Sequence, residues 1–335
     1  MVIKGILVTL LSPMTNHIAN GGEKLLGNAS SIKRRPDERV YISGQMQRHA
    51  FFSAMERLNI EDTNRGATHV SNGDGISNAI ETDLRADLGG FMHPSAGNYS
   101  GRRISPMSVT PAVALEQSDI GRDLLIRLKM DSEGDRDQAL ATREFSQSDM
   151  MLMNFHLDLS SLSISKKFEY GEKSGNKGVH LKTLFVKHVA ETERKRRAKM
   201  YLEATRSLTD YAQQARNATT GEPQTVLIVF DSKLSRKASR YFDADEKERI
   251  NILAELDERE ATYFLGNDKV GDVSVGKAYK NAFEFLEKNN LYDPCEKDSI
   301  IKTFEEAFLP NFGLKNQVST DIAISQTEIP FNQQE

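Results

Sequence analysis

From Tyr41 to Phe52 the chain reads Tyr-Ile-Ser-Gly-Gln-Met-Gln-Arg-His-Ala-Phe-Phe, a set of residues suited to holding a phosphate. Ser43 can cap a helix by accepting from N–H groups of its first turn. The start of such a helix presents unpaired N–H groups and a partial positive charge, and a phosphate satisfies both. Gly44 carries no side chain, so a nucleic-acid backbone can come close. Gln45 adds an amide, and Arg48, one turn in, adds a planar guanidinium fit for bidentate contact with phosphate oxygens. Lys33, Arg34 and Arg35 put three more cations just upstream, on an expected loop. The competing reading is an ordinary helix cap beside a solvated loop. His49 stands where a general base would be useful, but a lone histidine at a helix start more often packs or faces water.

Other candidates are weaker. Arg102-Arg103-Ile104-Ser105-Pro106-Met107 pairs two cations with apolar neighbours, and both arginines join the expected RNA contacts. Arg194-Lys195-Arg196-Arg197 opens an expected helix, where cations oppose the dipole, so solvent or RNA phosphates are expected to receive them. Asp83 and Asp87 can share a helical face. With no further ligands in view, they are expected as solvated carboxylates and not as a metal site. Gly171 to Gly178 fails as a phosphate loop, because Lys177 is followed by Gly178 instead of Ser or Thr. The sequence holds no GxSxG elbow, HExxH helix or Cys-x-x-Cys pair. No catalytic residue, metal or cofactor is therefore expected. There is no tryptophan, aromatic residues are 7%, and the base-stacking RNP consensus is missing. Binding should then follow the sugar-phosphate backbone without reading bases.

The balance of charge suits this reading only locally. Net charge is −4 over 335 residues, yet residues 1–60 carry eight basic and four acidic residues, and residues 243–335 carry 20 acids against 10 bases. A basic face toward RNA and an acidic end toward solvent or a basic partner fit that polarity; ordinary surface variation fits it too. Cys295 is the only cysteine, which excludes an intramolecular disulfide. The apolar run Val2 to Leu11 is far too short to span a bilayer, so a cytoplasmic protein without membrane contact is expected.

The elements that must position these residues are legible in part. Val2 to Leu11 reads as a buried strand closed by Ser12-Pro13. A helix follows Ser43, with Phe51, Met55 and Leu58 on one face. Residues 61–103 and 131–149 read as irregular, and a turn-rich tongue covers 168–182. Met151, Met153, Phe155, Leu157 and Leu159 alternate as a strand should. A long helix is expected from Glu191 to Arg216, with Tyr201, Ala204, Leu208, Tyr211 and Ala215 as its buried stripe. A strand at Val226–Phe230, a helix near Asp245–Arg259, a strand at Thr262–Leu265 and a helix near Val275–Asn289 complete the pattern. The order predicts an α+β domain of the ferredoxin-like βαββαβ kind with large insertions.

The segment Tyr41-Ile42-Ser43-Gly44-Gln45-Met46-Gln47-Arg48-His49-Ala50 resembles the CRISPR-associated DevR-type family. Supporting pieces follow in order: Asn20-Gly21-Gly22, Ile32-Lys33-Arg34-Arg35, Ala86-Asp87-Leu88-Gly89-Gly90-Phe91-Met92, Arg103-Ile104-Ser105-Pro106, Phe155 to Ser160 and Glu193 to Arg197. Members are backbone subunits of type I Cascade, here of I-B kind, in the repeat-associated mysterious protein superfamily. The resemblance implies an RRM-like palm in residues 1–60 and 150–265, fingers in 61–149 and a thumb near 163–185. Residues 266–335 would form a helical extension and tail that match nothing in the family pattern. Gly90 departs from that pattern, since relatives commonly carry an aromatic there.

In function, the resemblance implies a non-catalytic protein whose copies stack head to tail along CRISPR RNA, beside other Cascade subunits, with the spacer left to pair with target DNA. Lys33, Arg34, Arg35, Gln45, Arg48 and His49 would be its guide-backbone contacts. Two rivals stand beside it: an endoribonuclease on the same fold using His49, and a DNA-binding regulator. The second lacks any compact helix-turn-helix pair.

Overall fold

The computed structural model describes residues 1–24, 29–73, 77–92, 102–130, 136–173, 176–297 and 299–308. Its N-terminal part contains β1 Gly5–His17, β2 Ala29–Ile32, β3 Tyr41–Ile42, α1 Gly44–Glu61 and α2 Leu84–Gly89. Then come β4 Met107–Val109, β5 Ala112–Ala114, β6 Ile120–Met130, β7 Arg136–Asp158, β8 Ile164–Lys173 and β9 Asn176–Lys187. The remainder is α3 Glu191–Thr205, β10 Thr225–Asp231, α4 Glu246–Glu258, β11 Thr262–Asn267, α5 Val275–Lys288 and α6 Phe304–Phe308. The protein is a mixed α+β structure.

Its principal sheet runs β11–β10–β1–β7, and beyond β7 lie β4 and β5, all neighbours antiparallel. Alternation decides which face is which. Ile6, Val8 and Leu10 of β1 lie opposite Leu157, Phe155 and Met153 of β7 and Phe230, Ile228 and Val226 of β10, and all nine are buried. On this inner face pack α1, α3 and α5, with the Phe51 ring 5.9 Å from Phe155 and 5.6 Å from Tyr201. Emptying such a site, as in Phe51→Ala, costs about 3–5 kcal/mol. The outer face is covered over β1 and β10 by α4 and a short 3-10 turn, Lys237–Arg240, through Leu7, Leu227, Val229, Phe242 and Ile252.

Several expected boundaries move. β1 does not stop at Ser12-Pro13 but continues to His17. There β1 has passed the end of β10, whose pairing stops at Leu11, so Pro13 faces an open edge where its missing N–H costs no ladder bond. Residues 136–149, expected as irregular, belong to β7, which pairs with β6 in a long hairpin. The expected tongue is the β8–β9 hairpin. α3 ends at Thr205, not Arg216. The next residues, Ser207, Thr209 and Asp210, favour turns, and Leu208 and Tyr211 reach the core from irregular chain while Ala215 is exposed.

The basic start of α3 is a correction of larger consequence. Arg194 and Arg197 are fully buried and meet neither solvent nor an RNA surface. Arg194 donates to the carbonyl oxygens of Leu159 (2.7 Å), Leu162 (3.1 Å) and Tyr292 (2.9 Å). Arg197 donates to the Asp87 carboxylate (2.6 Å) and to the carbonyls of Ile80 and Glu81. Glu191 and Glu193 in the first turn offset the dipole that these cations oppose.

Asp83 and Asp87 are likewise fully buried, not solvated. Asp83 caps α2 by accepting from Arg85 N–H (2.9 Å). Asp87 accepts from Arg103 (2.6 Å), Arg197 (2.6 Å), Ser163 N–H (2.8 Å) and Ser163 Oγ (2.6 Å). It thereby ties α2, α3 and the foot of the β8–β9 hairpin together. Burial pushes its carboxyl upward, but Arg197 and then Arg103 outweigh burial and hold it below the usual carboxylate value.

After α5 the chain returns to the start of the protein, where Asn290–Leu291 pairs in parallel with Val2–Ile3. It then passes the foot of the hairpin, with Lys302 N–H on Lys187 O, and closes a small cluster of Phe304, Phe308 and Ile80. The expected tail from 309 onward lies outside the described residues, as do Pro94 to Asn98.

Candidate nucleic-acid interface

The Ser43 cap forms as expected: its Oγ accepts from Met46 N–H at 3.3 Å, and its carbonyl accepts from Gln47 N–H at 3.0 Å. The N–H groups of Gly44 and Gln45 have no partner among the described hydrogen bonds, so the first turn keeps two open donors. A residue the sequence did not single out joins them. Asn20 accepts from Ser43 N–H at 2.9 Å, and its side-chain nitrogen is buried with no hydrogen-bond partner. The only sequence signal for it was the Asn20-Gly21-Gly22 piece. A Cβ added at Gly44 would lie 3.6 Å from Val109 O, an ordinary contact, so glycine there is not demanded by packing. Gln45 is exposed.

The basic loop is brought to the same place. Arg34 bridges to Val40, and Tyr41 N–H donates to Lys33 O at 3.4 Å, which sets Lys33 two residues of extended chain from Ser43. Lys33 makes no ion pair among the described residues. Arg34 meets Glu38 at 2.6 Å at the surface and the buried Glu144 at 3.8 Å, and Arg35 meets Asp37 at 3.9 Å at the surface. Exposed pairs of this kind are worth little and yield easily to a stronger anion. Arg39, not foreseen, lies in the same loop and donates to Asp37 at 2.9 Å.

Two expected contacts, Arg48 and Arg103, are not presented in this way. Arg48 turns inward: it donates to Gly89 O (2.9 Å) and Ser105 Oγ (3.3 Å) and lies over the Phe52 ring at 5.7 Å. Burial, and then the neighbouring Arg85, lower its pKa. Its charge helps bias the site, but its donors are engaged. Arg103 is a buried structural cation, held by Asp87, Ser161 O, Ile164 O and Ser165 Oγ. His49 is exposed, with Nε2 3.3 Å from an Asp210 oxygen. Arg102 pairs through its backbone with Met92, and its side chain lies outside the described residues. Gly90 has a physical reason to depart from an aromatic. Its φ is +65°, and a Cβ would fall 2.6 Å from Arg103 O.

The family profile described as "CRISPR-associated negative auto-regulator DevR/Csa2" matches residues 24–233, which contain most of the site and its supporting elements. The chain belongs to this CRISPR-associated family. No curated protein matches the chain. Among solved structures, one titled "CRISPR RNA-guided surveillance complex" is similar over 84% of this chain and 99% of that one, at 12% identity and a TM-score of 0.49. A second, "CRISPR RNA-guided surveillance complex, pre-nicking", is similar over the same shares at 12% identity and a TM-score of 0.48. The family match, not these likenesses, places the chain. Among the described residues no helix is long and apolar enough to cross a membrane, and no cluster of ligands could hold a metal ion.

Proposed function

We propose that the chain is a non-catalytic backbone subunit of a cytoplasmic CRISPR Cascade complex that grips the sugar-phosphate backbone of CRISPR RNA at the start of α1. One observation carries the reading: two N–H donors stay open at the start of α1, where Asn20 holds Ser43 in place, beside a basic loop. Together they suit one phosphate group. The sheet order supports an RRM-like, ferredoxin-like palm, because β10–β1–β7–β4/β5 with α1 and α3 on one face has the βαββαβ arrangement. On this reading residues 1–60 and 150–265 are palm, 61–149 are fingers and the β8–β9 hairpin is the thumb. Copies stack head to tail beside other Cascade subunits, and the bound spacer stays free to pair with target DNA.

Purification of the native assembly from its host, with nucleic acid retained, tests the reading. Small RNA of uniform length should co-purify. Recovery of an RNA-free chain at low salt would contradict it. The His49–Asp210 pair keeps an endoribonuclease as the alternative. Metal-independent cleavage of repeat RNA by the purified chain, lost in His49→Ala, would select it.

A further inference from the structure

We infer that a pocket on the outer face of the sheet takes one nucleobase of the RNA strand whose backbone α1 grips. The inference rests on the phosphate-binding reading of α1 and adds to it a place for a base. Tyr41 of β3 lies directly opposite Val113 of β5, and Val113 lies directly opposite Leu152 of β7. Directly opposed residues of antiparallel strands share a face, so the three form a lateral row. The 3-10 turn and α4 roof the neighbouring strands, and between that roof and Tyr41 a cavity of about 490 Å³ remains open.

Its chemistry is that of a nucleotide site. Val113, Leu152 and Pro111 give an apolar floor, Tyr41 gives an aromatic face, and Arg35, Arg39 and Arg240 stand at the rim. Flat apolar faces with a charged backbone alongside describe an unstacked nucleotide, which proteins hold by aromatic or guanidinium stacking with cations beside the phosphate. The rim cations pair with surface carboxylates: Arg39 with Asp37 at 2.9 Å and, more loosely, with Asp243 of the pocket lining at 3.9 Å, and Arg240 with Glu248 at 3.5 Å; Arg39 also reaches Ala114 O at 3.5 Å. A phosphate can displace such pairs at little cost.

Asn154, on the same strand face two residues beyond Leu152, lines the pocket too. Its Nδ2 donates to Thr110 Oγ1 at 3.3 Å, while its Oδ1 is buried with no hydrogen-bond partner. The pocket also adjoins the clamp. Tyr41 precedes Ser43 by two residues, about 7 Å of strand, and the Val109–Pro111 backbone that borders the pocket lies against Gly44.

The test is short single-stranded RNA carrying one 2-aminopurine at successive positions, titrated into the full chain and read by both affinity and base fluorescence. One position should change emission on binding. Val113→Phe, which fills the pocket, should abolish that change, and Tyr41→Ala should weaken binding roughly fivefold to tenfold, the low end for one stacked base. Circular dichroism confirms that each variant folds. If wild-type protein binds RNA but no position gives a signal sensitive to Val113→Phe, the pocket inference is overturned and the clamp stands. If Val113→Phe alters self-association with no base signal, the pocket docks protein and the inference fails. If wild-type protein binds no RNA, the clamp and the pocket fall together.

Discussion

Asp87→Ala should be among the most damaging substitutions in the protein, although Asp87 touches no proposed ligand. The carboxylate is fully buried and accepts four hydrogen bonds, two of them from the guanidiniums of Arg103 and Arg197 at 2.6 Å each. Removing it leaves buried Arg103 with neutral acceptors alone and leaves buried Arg197 with Glu193 as its one remaining carboxylate, at 2.8 Å. Breaking one buried pair in this way costs about 3–5 kcal/mol, against a total stability of about 5–15 kcal/mol. Urea denaturation followed by far-ultraviolet circular dichroism measures the loss, with Arg34→Ala as the surface reference, expected below about 1 kcal/mol. The double variant Asp87→Ala/Arg103→Ala should lose less than the sum of the singles, because each single already leaves the other group unpaired. The pH dependence follows from the lowered pKa. Asp87 stabilises the fold above about pH 4, the unfolded value, and the contribution disappears as pH falls through the depressed folded value. A loss below about 1 kcal/mol for Asp87→Ala would refute the view that this carboxylate holds α2, α3 and the hairpin foot together.

Other predictions concern single residues. His156 is buried, both its ring nitrogens lack partners, and burial and then Arg236 push its pKa down to about 4. The unfolded chain therefore takes up a proton near pH 6.5 that the folded chain refuses until about 4, so stability falls across that window as pH drops. His156→Leu should flatten this part of a stability–pH curve, and an unchanged curve would count against the assignment. His188, lowered to about 4 by burial and then Arg103, keeps part of the slope in that variant. Gly90→Ala should destabilise by more than about 2 kcal/mol in thermal melts, since it meets backbone at 2.6 Å in a left-handed conformation. Arg103→Ala should lower the melting temperature, and any fall in RNA affinity should track the fraction unfolded, contrary to what a direct phosphate contact would give.

Sequence alone carried those features in which local rules and tertiary structure agree. The Ser43 cap, the alternation from Met151 to Leu159, the strand at Val226–Phe230 and the helices after Asp245 and Ser274 all stand close to their expected places. Each has a cap, a periodic face or flanking breakers that need no distant partner. The misses are places where distant contacts decide. The polar strand from Arg136 is ordered by β6, and Pro13 is tolerated only because β10 has already ended. Arg194 and Arg197 look like surface cations until carbonyls and a carboxylate from three other segments close around them. The same division holds at the site. Ser43, Gly44 and Gln45 could be read from type and spacing, whereas the inward turn of Arg48 and the unpaired amide of Asn20 depend on Gly89, Ser105 and Ser43 across the fold.

The phosphate clamp at α1 is tested most directly by the RNA affinity of Gly44→Glu measured across a salt series. Packing leaves room for a side chain at Gly44, and an acid in the first turn of a helix favours the helix itself. The variant should therefore fold at least as well as wild type. Its carboxylate would stand where the phosphate binds, so affinity for single-stranded RNA should collapse and the salt dependence should flatten. A folded Gly44→Glu protein that binds RNA with wild-type affinity and salt slope would contradict the clamp.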